Sequence, residues 1–122
     1  MKILSLSLSF LWTVLSQNIA TKCGKYIQVT GHDTFAGYYS YLGISSSKPG
    51  YYNSKKNMYL YATQNGNWHF NTAFGNILAL AYMKPSVCPA YQLVYVWDSS
   101  KWSLNNKIII KPGLLYHKSA KQ

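Results

Sequence analysis

Beyond residue 25, turn-forming Gly, Asn, Ser and Pro interrupt the chain so often that no stretch between them carries a helical stripe. Between the breaks lie short runs rich in Tyr, Ile and Val, with apolar residues alternating or in brief clusters. Successive side chains of a strand point to opposite faces, so this pattern suits short, half-buried β-strands. It predicts strands over residues 26–30, 37–42, 50–53, 58–63, 67–72, 77–83, 92–97, 101–104 and 107–111. Only 77–83 is ambiguous, because Ala79 and Ala81 lower strand preference and permit a helical turn.

The connections point to a topology. Asn65-Gly66 between two aromatic runs is the strongest short hairpin signal, since both residues tolerate the left-handed backbone of a tight turn. Asp98-Ser99-Ser100 separates Trp97 from Trp102, Asn105-Asn106 separates Leu104 from the Ile108-Ile109-Ile110 run, and polar residues 54–57 join Tyr51-Tyr52 to Met58. Consecutive hairpins make an antiparallel meander. In a chain of 122 residues this predicts a single all-β domain whose curved sheet closes into a small barrel or a sandwich. Residues 60–71 also resemble residues 94–105, with Tyr61 matching Tyr95, Trp68 matching Trp102 and Asn71 matching Asn105. Hairpins of similar length converge on such a pattern, and two copies do not make a solenoid.

The first twenty residues have the layout of a secretory signal. Lys2 precedes a stretch from Ile3 to Leu15 that is apolar apart from Ser and Thr, and small residues then permit cleavage after Ser16 or after Ala20. That stretch is shorter than the ~20 apolar residues a bilayer span needs, and no later segment reaches that length, so no transmembrane anchor is expected. The expected product is secreted and extracellular: a β domain over residues 21–116, then a basic tail, 117–122. In an oxidising compartment Cys23 and Cys88, the only two cysteines, are expected to pair. Closing a loop of about 65 residues contributes about 4 kcal/mol in the chain-entropy model. No Asn-x-Ser/Thr sequon occurs, so the surface is expected to be free of N-glycans.

Charge narrows the partners. The chain has twelve Lys, no Arg and no Glu, with Asp33 and Asp98 as its only carboxylates, for a net charge of +10. Most lysines therefore lack a carboxylate to pair with, and the positive field favours anionic polymers or surfaces. Without the planar fork of Arg, sequence-specific nucleic-acid recognition is disfavoured.

Aromatic content points the same way. Tyr38, Tyr39, Tyr41, Tyr51, Tyr52, Tyr59 and Tyr61 crowd one region, and strand alternation places them on both faces of the sheet. So thin a core cannot take them all, so one face is expected to show an aromatic strip. The candidate ligand-binding set is Tyr39, Tyr41, Tyr59, Tyr61 and Trp68 as stacking groups, with Lys55 and Lys56 as electrostatic anchors. The alternative is that tyrosines cap the core with their hydroxyls at its rim.

Catalysis finds little to build on. A two-carboxylate glycosidase would have to use both Asp33 and Asp98, which sit in turns where a side-chain-to-backbone role is expected. His32, His69 and His117 are not brought together by spacing, no pair stands at metal-ligand spacing, and no cofactor motif occurs. The sequence therefore predicts a secreted cationic module without enzymatic activity that binds extracellular glycan or an anionic surface. A toxin-like or antimicrobial membrane-active effector is the alternative, and a small secreted hydrolase or ribonuclease the third reading.

Overall fold

A computed structural model describes residues 22–74 and 78–113. The expected signal segment 1–20, the tail 117–122 and His117 lie outside the described residues. Nine strands form: β1 (Tyr26–Thr30), β2 (Gly37–Ser45), β3 (Lys48–Asn53), β4 (Met58–Ala62), β5 (Trp68–Asn71), β6 (Ala81–Met83), β7 (Val94–Trp97), β8 (Trp102–Asn105) and β9 (Ile109–Pro112). They build one antiparallel sheet in the order β8-β7-β6-β5-β4-β3-β2-β1-β9. The all-β antiparallel arrangement expected from the turns is what the described residues adopt, except that Asn105-Asn106 does not make the expected hairpin: the chain leaves β8 there and β9 pairs with β1 instead.

Connectivity forces the sheet to curl. Its two margins, β8 and β9, are consecutive in the chain and separated only by residues 106–108. Eight strand spacings in a flat sheet would cover ~38 Å, whereas the four peptide steps from Asn105 to Ile109 reach at most ~14 Å. The sheet therefore rolls into a half-barrel, and one stretch of chain supplies both margins. At Gly31 the roll is tight: a Cβ there would lie 1.8 Å from the Lys107 carbonyl oxygen, and the backbone is left-handed, φ +95°, so only glycine fits.

The concave face holds the core. Ile27, Val29, Tyr39, Tyr51, Met58, Leu60, Trp68, Phe70, Ala81, Met83, Val94 and Ile110 are all buried there. Each lies at every second position of its strand, as the pleat requires. Two interior tyrosines span the core and satisfy their hydroxyls at its rims: Tyr39 donates to the Phe35 carbonyl (2.6 Å) and Tyr51 to the Gly24 carbonyl (2.7 Å). Burial pushes both phenols well above the ordinary tyrosine range; the Asn53 side chain partly opposes this at Tyr39, and nearby Tyr41 reinforces it at Tyr51.

The loop between β6 and β7 closes one end of the half-barrel. Ser86 accepts a hydrogen bond from the Trp68 indole (3.1 Å), and the Tyr91 amide donates to the Ile110 carbonyl of β9 (2.6 Å). Cys88 of this loop is bonded to Cys23, with the Cα atoms 5.3 Å apart. The expected disulfide thus ties the loop to the segment leading into β1.

Candidate functional site

Two strands sort their side chains by type. In β6, Ala81 and Met83 face the core while Tyr82 faces outward; in β7, Val94 and Val96 face in while Tyr95 and Trp97 face out. Cross-strand register then lines up an outer row: Leu104 opposite Tyr95, Tyr95 opposite Tyr82, Tyr82 opposite His69, and His69 opposite Tyr61. Trp97 faces Trp102 in the neighbouring pair. Tyr82 stacks on Tyr95 (centroids 5.1 Å, planes 18° apart) and takes Trp102 edge-on at 4.8 Å, while Trp97 and Trp102 meet at 5.2 Å. Such offset and edge-on contacts fix ring orientation before any ligand arrives. Trp97 and Trp102 remain 45% and 40% exposed, which leaves surface free for stacking.

The turn beside this platform is held rigidly by its acid. Asp98 Oδ1 accepts from the Lys101 amide (2.9 Å) and from the amide and hydroxyl of Ser100 (3.1 and 3.0 Å), and Oδ2 accepts from the Ser103 hydroxyl (3.2 Å). These bonds, the Lys101 amide foremost, hold its carboxyl below the ordinary range. Asp98 is therefore engaged as a turn former, as its position in the sequence suggests.

At the other side of the platform, residues 72–74 fold back over β4 and β5. Phe74 packs on Tyr59 and Tyr61, with centroids at 5.5 and 5.0 Å, and sits over Gly50, where a Cβ would come within 3.1 Å of its ring. Asn71 donates to the Leu78 carbonyl and the Tyr61 hydroxyl to Ala73 (3.3 Å). This cover buries Tyr61 and Asn71 on the convex face, and His69, beside Tyr61 in the same row, is buried as well. Between the cover and the tryptophans runs a cleft of about 730 Å³ lined by Trp97, Trp102, Tyr82, His69, Asn65 and Asn67. A second hollow of about 580 Å³ shares Asn65 and His69 and continues to Ser45 and Ser46.

Asn65 is set by its hairpin. The Gly66 amide donates to Thr63 (2.9 Å), Thr63 in turn donates to Asn67 (2.8 Å), and Asn65 Oδ1 accepts from the Asn67 amide (3.2 Å). The carboxamides of Asn65 and Asn67 therefore sit beside an aromatic floor. Lys84 adds a cation, its Nζ 5.8 Å from the centre of the Tyr95 ring. Flat apolar rings flanked by groups that both donate and accept can hold a polyhydroxylated ring: its C–H face on the aromatics, its hydroxyls on the amides.

The residues expected from the sequence to bind ligand are placed elsewhere. Tyr39, Tyr61 and Trp68 have no exposed surface, so stacking on a ligand is not open to them. Tyr39 and Trp68 fall on the concave face by register, and Tyr61 lies under Phe74. Tyr41 is partly buried against the core, edge-on to Tyr51 at 6.2 Å. Tyr59 is held between Tyr52 (4.5 Å) and Phe74. Lys55 and Lys56 are exposed in the β3–β4 turn, where their amides bond to Asn53 Oδ1 (3.1 and 3.2 Å), and the Lys56 ammonium reaches the Asp33 carbonyl. That turn is at the opposite end of the sheet from the Asn65 hairpin. The matched tryptophans of the two similar segments also part company, Trp68 inward and Trp102 outward. His32 lies in the β1–β2 turn, whereas His69 is on the convex face of β5.

The cleft residues Tyr82, Tyr95, Trp97 and Trp102 were not singled out from sequence. The signal that finds them is the strict alternation of aliphatic and aromatic residues in Ala81-Tyr82-Met83 and Val94-Tyr95-Val96-Trp97, which separates core from platform. Compared with protein-family profiles, characterised proteins and solved structures, the chain matches none.

Proposed function

We propose that this protein is an exported module that binds extracellular glycan in the cleft of the convex face. The observation that carries the reading is the half-exposed Trp97–Trp102 pair, braced by Tyr82 and set beside the carboxamides of Asn65 and Asn67. Rigid aromatic surface loses little conformational entropy on binding, and the neighbouring amides match the alternating donors and acceptors of a sugar. The exported chain, without Lys2, keeps eleven lysines against two aspartates, a net charge of +9, which adds long-range attraction for acidic glycans, in which Lys55 and Lys56 share without touching the ligand. Export through the signal segment 1–20 agrees with the disulfide, which persists in oxidising compartments.

The test is a glycan-array screen of the oxidised protein, followed by titration of the best ligand. Trp102→Ala is expected to weaken binding about tenfold, near the upper end of what one aromatic stacking contact contributes, with the melting temperature nearly unchanged. Retention on no glycan, or retention indifferent to both Trp97→Ala and Trp102→Ala, overturns the reading.

A further inference from the structure

Following the register from strand to strand divides the turns between two ends of the half-barrel. Turns 31–36, 54–57 and 98–101 share one end; turns 46–47, 63–67, the 84–93 loop and the 22–25 segment share the other. Both carboxylates, Asp33 and Asp98, belong to the first end. The second end carries Lys22, Lys25, Lys48 and Lys84 and no acid. Lys48 Nζ reaches the Gly66 carbonyl (3.4 Å), and Pro85, next to Lys84, lies against Gly66.

At the same end as these lysines the 84–93 loop shows apolar tips. Val87, Tyr91 and Leu93 are 60%, 73% and 60% exposed. They are not on a slack loop. The disulfide at Cys88, the Trp68 bond to Ser86 and the Tyr91 amide bond to Ile110 pin it at three points. Tyr91 itself is held at φ +61°, a left-handed backbone that a bulky residue occupies only under such restraint.

We propose that this end docks on an anionic phospholipid bilayer, Val87, Tyr91 and Leu93 entering the headgroup boundary while the lysines meet lipid phosphates and carboxylates. Charge alone would suit any polyanion. The exposed apolar tips select lipid, because a hydrated polysaccharide cannot bury them, whereas the interface takes both an apolar body and the polar edge of a tyrosine. Clustered lysines at such a surface supply the preference for anionic leaflets.

The experiment is co-sedimentation of the oxidised protein with phosphatidylcholine vesicles, with and without phosphatidylserine, beside elution from heparin. Binding is expected only where phosphatidylserine is present. The charge-neutral triple change Val87→Ser, Tyr91→Asn, Leu93→Ser should weaken vesicle binding about tenfold or more while heparin elution stays put. Lys25→Gln with Lys84→Gln, which leaves the loop's apolar contacts alone, should weaken both, and serves if the triple variant does not fold. Absence of binding to phosphatidylserine vesicles, equal binding to both vesicle types, or full vesicle binding by the triple variant overturns the proposal. Trp102→Ala should leave vesicle binding intact, which separates failure here from failure of the glycan reading.

Discussion

The two faces of the sheet use the same residue types to opposite ends. On the concave face Tyr39, Tyr51 and Trp68 are fully enclosed, and each sends its single polar atom to a loop carbonyl at a rim. On the convex face Tyr82, Tyr95, Trp97 and Trp102 brace one another and keep part of their surface in water. Aromatic density therefore does not by itself mark a binding face. Register decides it: a shift of one residue along a strand exchanges core for surface.

The largest contrast between the faces is expected on removing one indole from each. Trp68→Ala should destabilise the protein by about 3–5 kcal/mol through the cavity it leaves and the unpaired Ser86 carbonyl. Trp102→Ala should cost about 1 kcal/mol or less. Urea unfolding followed by circular dichroism measures both, and equal losses would mean that the two faces are not distinct in this sense.

The interior phenols give the concave face a pH dependence of its own. Their raised pKa values mean that the fold keeps Tyr39 and Tyr51 neutral where the unfolded chain ionises. Their contribution is therefore complete below pH ~10 and is lost as pH rises above it, because the unfolded state then binds fewer protons. Unfolding midpoints measured across that range should fall steeply for the native chain. A Tyr39→Phe, Tyr51→Phe protein should start about 2 kcal/mol lower, from two lost hydrogen bonds, and decline less. The smallest effect belongs to the exposed turn beside the platform. The lowered pKa of Asp98 makes its contribution present above the ordinary carboxylate range and lost as pH falls through it. Asp98→Asn should lower the melting temperature slightly at neutral pH, with the difference vanishing in acid.

Hairpins were legible because their turn chemistry is local. The Asn65-Gly66 turn forms between β4 and β5, and the Asp98 turn between β7 and β8, where the sequence places them. Strand ends were less so. β2 and β3 run on to Ser45 and Lys48 because Ser46 and Ser47 both adopt left-handed backbone, φ 52° and 64°, a two-residue hairpin turn without the Asn or Gly that usually announces it. Of the strand expected over 77–83, the described residues form Ala81–Met83. The site was hidden for a different reason. The tyrosines between 38 and 61 outnumber those of β6 and β7, yet Tyr39 and Tyr51 meet partners across the core and Tyr61 is roofed by Phe74, relations that span the chain. What local pattern did hold was the aliphatic–aromatic alternation of β6 and β7.

That β8 and β9 are halves of one run has a consequence for how the molecule assembles. Emerging in order from its N-terminus, the chain can zip each neighbour from β2 to β8 as it appears, but β1 must wait for the last strand to gain its second partner. Pairing so remote in sequence is the slow part of folding. The seam between first and last strands is therefore where a half-made molecule stays open, and a chain cut short after β8 would leave that flank of β1 permanently bare.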